Sequence, residues 1–171
     1  MKKKPVLTPL QRVLDGLSIL LCLATVVYLI AVYPSLPEQI PSHYDFDGNI
    51  TSYNGKSMLI VLACLMVFLI TLPMSLLSRV LSLSQITNSP FRISKGQEGA
   101  LAELTRTLLC ALNLVMTAMF AYILYSQSKS EIMSSAGIWL PMVLMFALVG
   151  WYIFRTWKLS KQPKEWEPWD D

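Results

Sequence analysis

Four long stretches of the chain carry no charged residue: Gly16–Tyr33, Ser57–Ser78, Thr107–Ser128 and Ile132–Phe154. A helix needs roughly 20 apolar residues to cross a bilayer, with about 17–25 tolerated, and all four stretches meet that length. Charged residues gather between them rather than mixing through them, so the pattern is that of lipid-facing helices and not of amphipathic helices around a soluble core. The predicted fold is an all-α integral membrane protein with four transmembrane helices, a single four-helix domain over residues 1–171. Its first helix runs from about Val13 to Tyr33, and its second starts at Lys56 and ends by about Ser78. The third starts near Leu101, and a short polar link from Gln127 to about Ser135 makes helices three and four an antiparallel hairpin. Residues 79–100 form a polar connection, with Asn88-Ser89-Pro90 as a turn and Ser94-Lys95-Gly96 as a breaker. Residues 158–171 form a charged tail.

Polar residues recur inside two of these helices at spacings of three and four. Helix three carries Glu103, Arg106, Cys110, Asn113 and Thr117; helix one carries Asp15, Ser18, Cys22 and Thr25. Such spacing puts each set on one face. Small and weakly polar side chains let membrane helices pack closely and bond across a bundle, so both faces should point inward. Arg106, Cys110, Asn113 and Thr117 are the candidate intramembrane polar site. Pro73 and Pro141 each remove a donor, freeing the carbonyls of Leu69 and Gly137 and bending helices two and four.

Composition adds weight to the membrane reading. The chain is 54% hydrophobic and only 15% charged, too apolar for a soluble domain of 171 residues to cover its surface. Lys2, Lys3, Lys4 and Arg12 precede the first helix. Arg79, Arg92 and Lys95 lie in the middle connection, and Arg155, Lys158, Lys161 and Lys164 follow the last helix. The other two connections hold only Lys56 and Lys129. By the positive-inside rule both termini and residues 79–100 are cytoplasmic, in a multi-pass membrane protein, and 34–56 faces outward. Gly16–Tyr33 is too long for a signal-peptide core and has no small-x-small site before Pro34. A basic folded face for nucleic acid is absent from the pattern. Cys22, Cys64 and Cys110 all fall in apolar runs, which implies no disulfide framework.

The outer loop, 34–56, concentrates the chemistry. Pro34, Pro37 and Pro41 hold its first part extended. Asp47-Gly48 then offers a two-residue turn that would fold Ser42–Phe46 onto Asn49–Tyr53, with His43 opposite Ser52 and Asp45 opposite Ile50. Asn54-Gly55 would make a second turn. Asp45-x-Asp47-x-Asn49 resembles the start of a calcium loop, but Ile50 and Lys56 stand where Gly and Glu would be needed. A turn-forming carboxylate is the expected role of each Asp, and no metal or cofactor is expected. Pro41, His43, Asp45, Asp47, Gly48, Tyr53 and Lys56 form the candidate binding set. They are expected to build one compact cap over helices one and two, with Lys56 beside Asp45 or Asp47.

Leu36-Pro37-Glu38-Gln39-Ile40-Pro41-Ser42-His43-Tyr44-Asp45-Phe46-Asp47-Gly48, continuing to Tyr53-Asn54-Gly55-Lys56, resembles the signature of a bacterial membrane family. That family is the domain of unknown function 1648 (DUF1648), found in SdpI-like immunity proteins. Asp45 stands where the family has Asn, and Thr51-Ser52 where it has Asp-Gly. The resemblance implies immunity to an antimicrobial peptide, or relay of a signal through capture of a regulator on the cytoplasmic surface. The expected partners are membrane lipids, a peptide or membrane protein at the outer face, and further copies of the chain. A subunit of a transporter or channel is the alternative. No nucleophile with a base, carboxylate pair or metal cluster suggests an enzyme.

Overall fold

A computed structural model describes residues 7–80, 91, 93, 96–130 and 134–161. Helix α1 spans Pro9–Val32 and closes in a 3-10 turn at Tyr33–Ser35. Strands β1 (Gln39–Tyr44) and β2 (Ile50–Gly55) follow as an antiparallel hairpin. Helix α2 runs over Ser57–Val80, α3 over Glu98–Lys129 and α4 over Ala136–Ser160. Among the described residues, these four helices are long and apolar enough to cross a membrane. The protein is a multi-pass membrane protein.

Helix α1 begins earlier than its apolar run because the preceding residues cap it. Thr8 accepts from the Gln11 amide, and the Gln11 side chain accepts from the Thr8 amide at 3.0 Å, with Pro9 in the first turn. This reciprocal pair satisfies two donors that a helix start leaves open. The same Gln11 donates through Nε2 to the Glu103 carbonyl and to Thr107 Oγ1, binding α1 to α3. Helix α3 likewise starts ahead of Leu101, at Glu98. It also runs on through Gln127 and Ser128, both buried, to a left-handed Ser130. The link to α4 is therefore shorter than the polarity of 127–135 implied, because Ser128 is held inside by Tyr28 and by the Tyr125 carbonyl. The Asn88-Ser89-Pro90 turn lies outside the described residues, as do Lys95 and the tail beyond Lys161.

Helix α2 is not uniform. Ser57–Cys64 and Leu72–Val80 are α-helical, and Leu65–Thr71 between them is π-helical. The amide of Leu72 donates to the Val67 carbonyl, five residues back. Pro73 follows at once, and its ring would clash with the carbonyl four residues earlier; a widened turn relieves that clash. The wide stretch brings Thr71 against α3: Thr71 Oγ1 lies 3.0 Å from Thr117 Oγ1, and Asn113 Nδ2 donates to the Thr71 carbonyl at 3.3 Å.

Both polar stripes face the bundle. Asp15, Ser18, Cys22 and Thr25 on α1, and Arg106, Cys110, Asn113 and Thr117 on α3, are all buried. Glu103 departs from its stripe: its side chain is exposed, because α3 at that height is open on the side facing α4. Towards the hairpin the core turns apolar, with Leu29, Ile40, Leu59, Met66 and Leu124 in one cluster. Helix α3 is the hub, in contact with α1, α2 and α4, whereas α4 packs chiefly on α3. Asn113→Leu is expected to lower stability by about 0.6–2 kcal/mol, the span found for membrane hydrogen bonds. Unfolding of the purified protein in detergent measures it, and an unchanged midpoint would remove Asn113 from the bundle's bonding.

Candidate functional site at the hairpin

The hairpin places the loop residues by a register that only partly matches the sequence expectation. His43 pairs with Ser52, but Ile50 lies opposite Tyr44 rather than Asp45, after irregularities on either side of His43. Asp45 is not a strand residue. Its Oδ1 accepts from the amides of Asp47 and Asn49 at 2.9 and 2.8 Å, and its Oδ2 accepts from Asn49 Nδ2 at 3.0 Å. A short carboxylate competes well for nearby amides, so Asp45 folds the chain into a five-residue tip, 45–49, in place of a two-residue turn. Gly48 is buried at φ +87°, a conformation that β-branched residues resist.

Asn54 and Gly55 likewise belong to β2 and pair with Ile40 and Gln39, so they form no second turn. The ladder continues past them, since the Lys56 amide donates to the Glu38 carbonyl at 3.0 Å. Lys56 thus sits at the base of the hairpin, far along the strand from Asp45 and Asp47. Its ammonium pairs with Glu38 at 3.0 Å and lies 5.4 Å from the centre of the Tyr33 ring. The expected contact with the acidic tip is excluded by this register. Because Glu38 is mostly exposed, the pair fixes the hairpin's base and contributes about 0–1 kcal/mol.

The hairpin is anchored by Ile40 and Pro41, both buried, with Ile40 packed in the apolar core and β1 touching α3. Its tip reaches α4: Phe46 stacks on Trp139 with ring centres 6.5 Å apart. A cleft of about 220 Å3 opens there among Tyr44, Phe46, Gly48, Ile138 and Trp139. The cap expected over helices one and two therefore packs on them through Ile40 and also reaches α3 and α4, through β1 and Phe46. Burial pushes the Tyr44 phenol above its ordinary value, helped by Tyr122 and Tyr53; its hydroxyl has no hydrogen-bond partner among the described residues. His43 is exposed, with Nδ1 2.8 Å from Ser52 Oγ, and Tyr53 is exposed on β2.

The family model described as a domain of unknown function, DUF1648, matches residues 20–68. This segment is a DUF1648 domain. It comprises most of α1, the whole hairpin and the start of α2, so Pro41, His43, Gly48 and Lys56 all lie within it. No curated protein and no solved structure matches the chain. The DUF1648 segment supplies one wall of the 220 Å3 cleft, and α4, outside the match, supplies the other. Phe46 and Trp139 were not singled out in the sequence. The available signal was an aromatic between two acids at a turn.

The Asn49 side chain, then its amide, hold the Asp45 carboxyl below its ordinary value of 3.8. A depressed carboxyl stabilises the folded tip above pH 3.8 and loses that contribution as pH falls through its lowered value. Protection of the Asn49 amide from exchange, taken relative to the unfolded-chain rate at the same pH, should therefore hold at neutral pH and be lost only below about pH 4. Asp45→Asn should exchange fast throughout; slow exchange in that variant would contradict the carboxylate's role.

Proposed function

We propose that the protein is a membrane-embedded recognition domain whose hairpin receives a ligand at the extracytoplasmic face, with both termini cytoplasmic. The observation that carries this reading is Phe46, 83% exposed at the apex of a tip that Asp45 locks in place. An exposed aromatic on a preorganised backbone, beside an apolar cleft, suits a binding hot spot. Asp45 and Asp47 flank it, so the fitting ligand is cationic and amphipathic, as an antimicrobial peptide is. Immunity of the SdpI type, or relay of peptide occupancy to a cytoplasmic regulator, follows from this reading, and catalysis does not.

Orientation rests on the basic residues: Arg12, Arg79, Arg155, Lys158 and Lys161 lie at the end away from the hairpin, and Lys56 and Lys129 at the hairpin end. A cysteine at position 49 should label from outside intact cells and one at 161 should not.

Cells expressing the chain should survive higher doses of cationic amphipathic peptides than empty cells. His43→Ala and Gly48→Val should abolish the protection while membrane insertion is retained. Full protection by both variants would make the loop a connector only. The buried polar seam of Asp15, Asn113 and Thr117 favours a second reading, a transporter or channel subunit, which ion flux in liposomes would reveal.

A further inference from the structure

At the end of the bundle away from the hairpin, α1 and α4 flank α3 without closing over it. A cleft of about 540 Å3 lies between them. Its walls divide by chemistry. Leu10, Leu104 and Leu159 give it an apolar lining, and Trp151 stands beside them. Arg155 and Lys158, one turn apart on α4, bring two cations; both are exposed, and neither has a carboxylate partner among the described residues. Glu103 adds one carboxylate from α3. The formal charge of the cleft is therefore +1.

We propose that this cleft binds one anionic phospholipid with a hydroxylated headgroup, of the phosphatidylglycerol class. Arg155 and Lys158 hold the phosphodiester, Arg through paired N–H groups and Lys as a point charge. The Glu103 carboxylate accepts from headgroup hydroxyls. Acyl chains run along Leu10, Leu104 and Leu159, and Trp151 sits where indoles favour the headgroup boundary. Basic pockets between transmembrane helices are suited to anionic headgroups, and a monoanion matches the charge of this one. A zwitterionic lipid leaves the net charge uncompensated.

Native mass spectrometry of the full chain in detergent tests the assignment, with phosphatidylglycerol, phosphatidylethanolamine and phosphatidylcholine of identical chains as probes. The wild type should retain phosphatidylglycerol well above the other two. R155Q/K158Q should weaken that binding about 25-fold, at roughly fivefold for each cation near an anionic surface. K129Q, at the hairpin end, should leave it unchanged. A100W, which fills the cleft and keeps both cations, should also remove the bound lipid. Equal retention of all three lipids would overturn the proposal. So would undiminished binding in R155Q/K158Q or A100W, or an equal loss in K129Q, which would mark a diffuse charge effect.

Discussion

Arg79→Leu is expected to destabilise the bundle by about 3 kcal/mol, and Asp15→Leu by about 1 kcal/mol or less. The two side chains form an ion pair between α1 and α2, with Arg79 Nε 3.2 Å from Asp15 Oδ2 and its terminal nitrogen also bonded to that oxygen. Their surroundings differ. The Asp15 side chain is 2% exposed and Arg79 is 53% exposed. Removing the arginine strands a carboxylate inside the bundle, and its Oδ1 already has no partner among the described residues. Removing the aspartate leaves an arginine that can turn outward to water or headgroups. The figure for Arg79 sits at the low end of the range for breaking a buried pair because half of that side chain is open. Asp15→Leu/Arg79→Leu should recover most of the loss, since apolar residues can replace a buried pair at little cost. Denaturation midpoints of the purified protein measure all three variants; equal losses for the two single changes would refute the asymmetry.

Gly137→Ala is expected to cost about 1–3 kcal/mol, the usual penalty for overpacking a close contact. A Cβ at position 137 would stand 2.1 Å from Cε1 of Tyr122. That ring cannot move freely. The Ser134 amide donates to the Tyr122 hydroxyl at 2.8 Å, and the hydroxyl donates to the Ser134 carbonyl at 3.3 Å. Gly137 is thus the point where α4 rests against α3, a use of small residues typical of membrane helix pairs. Tyr122→Leu alone should also destabilise, by losing those bonds, but Tyr122→Leu/Gly137→Ala should cost less than the sum of the two. Additive losses would mean that the contact does not limit packing.

The Gly137 contact also marks where sequence reasoning stops. Gly137 lies in an apolar run whose other residues are as suited to lipid as to protein, so no periodicity says which face of α4 meets α3. Helices α1 and α3 differ because each carries a polar stripe. Hydrocarbon offers no partner for Asn113 or Asp15, so their spacing dictates which side turns inward. Arg79 was assigned to a polar connection, yet an acid and a base at matching ends of consecutive antiparallel helices were a readable signal. At the tip, Asp47-Gly48 pointed to a reversal in the right place. The length of that reversal depended on Asp45, whose carboxylate could either face out from a strand or bind the amides of the turn.

The sequence by itself determined the four spans, their approximate ends and the inward polar faces, because lipid forces every backbone group into helical bonds and every strongly polar side chain into protein. It also determined that residues 34–56 are extended and then reverse, through proline φ and the glycine at 48. Only the tertiary structure decided that Lys56 meets Glu38, that Phe46 reaches Trp139, and that α4 stands off from α1 to leave a charged cleft. Those contacts join residues far apart in the chain, and each depends on a choice of register or helix face among alternatives with nearly the same local energy.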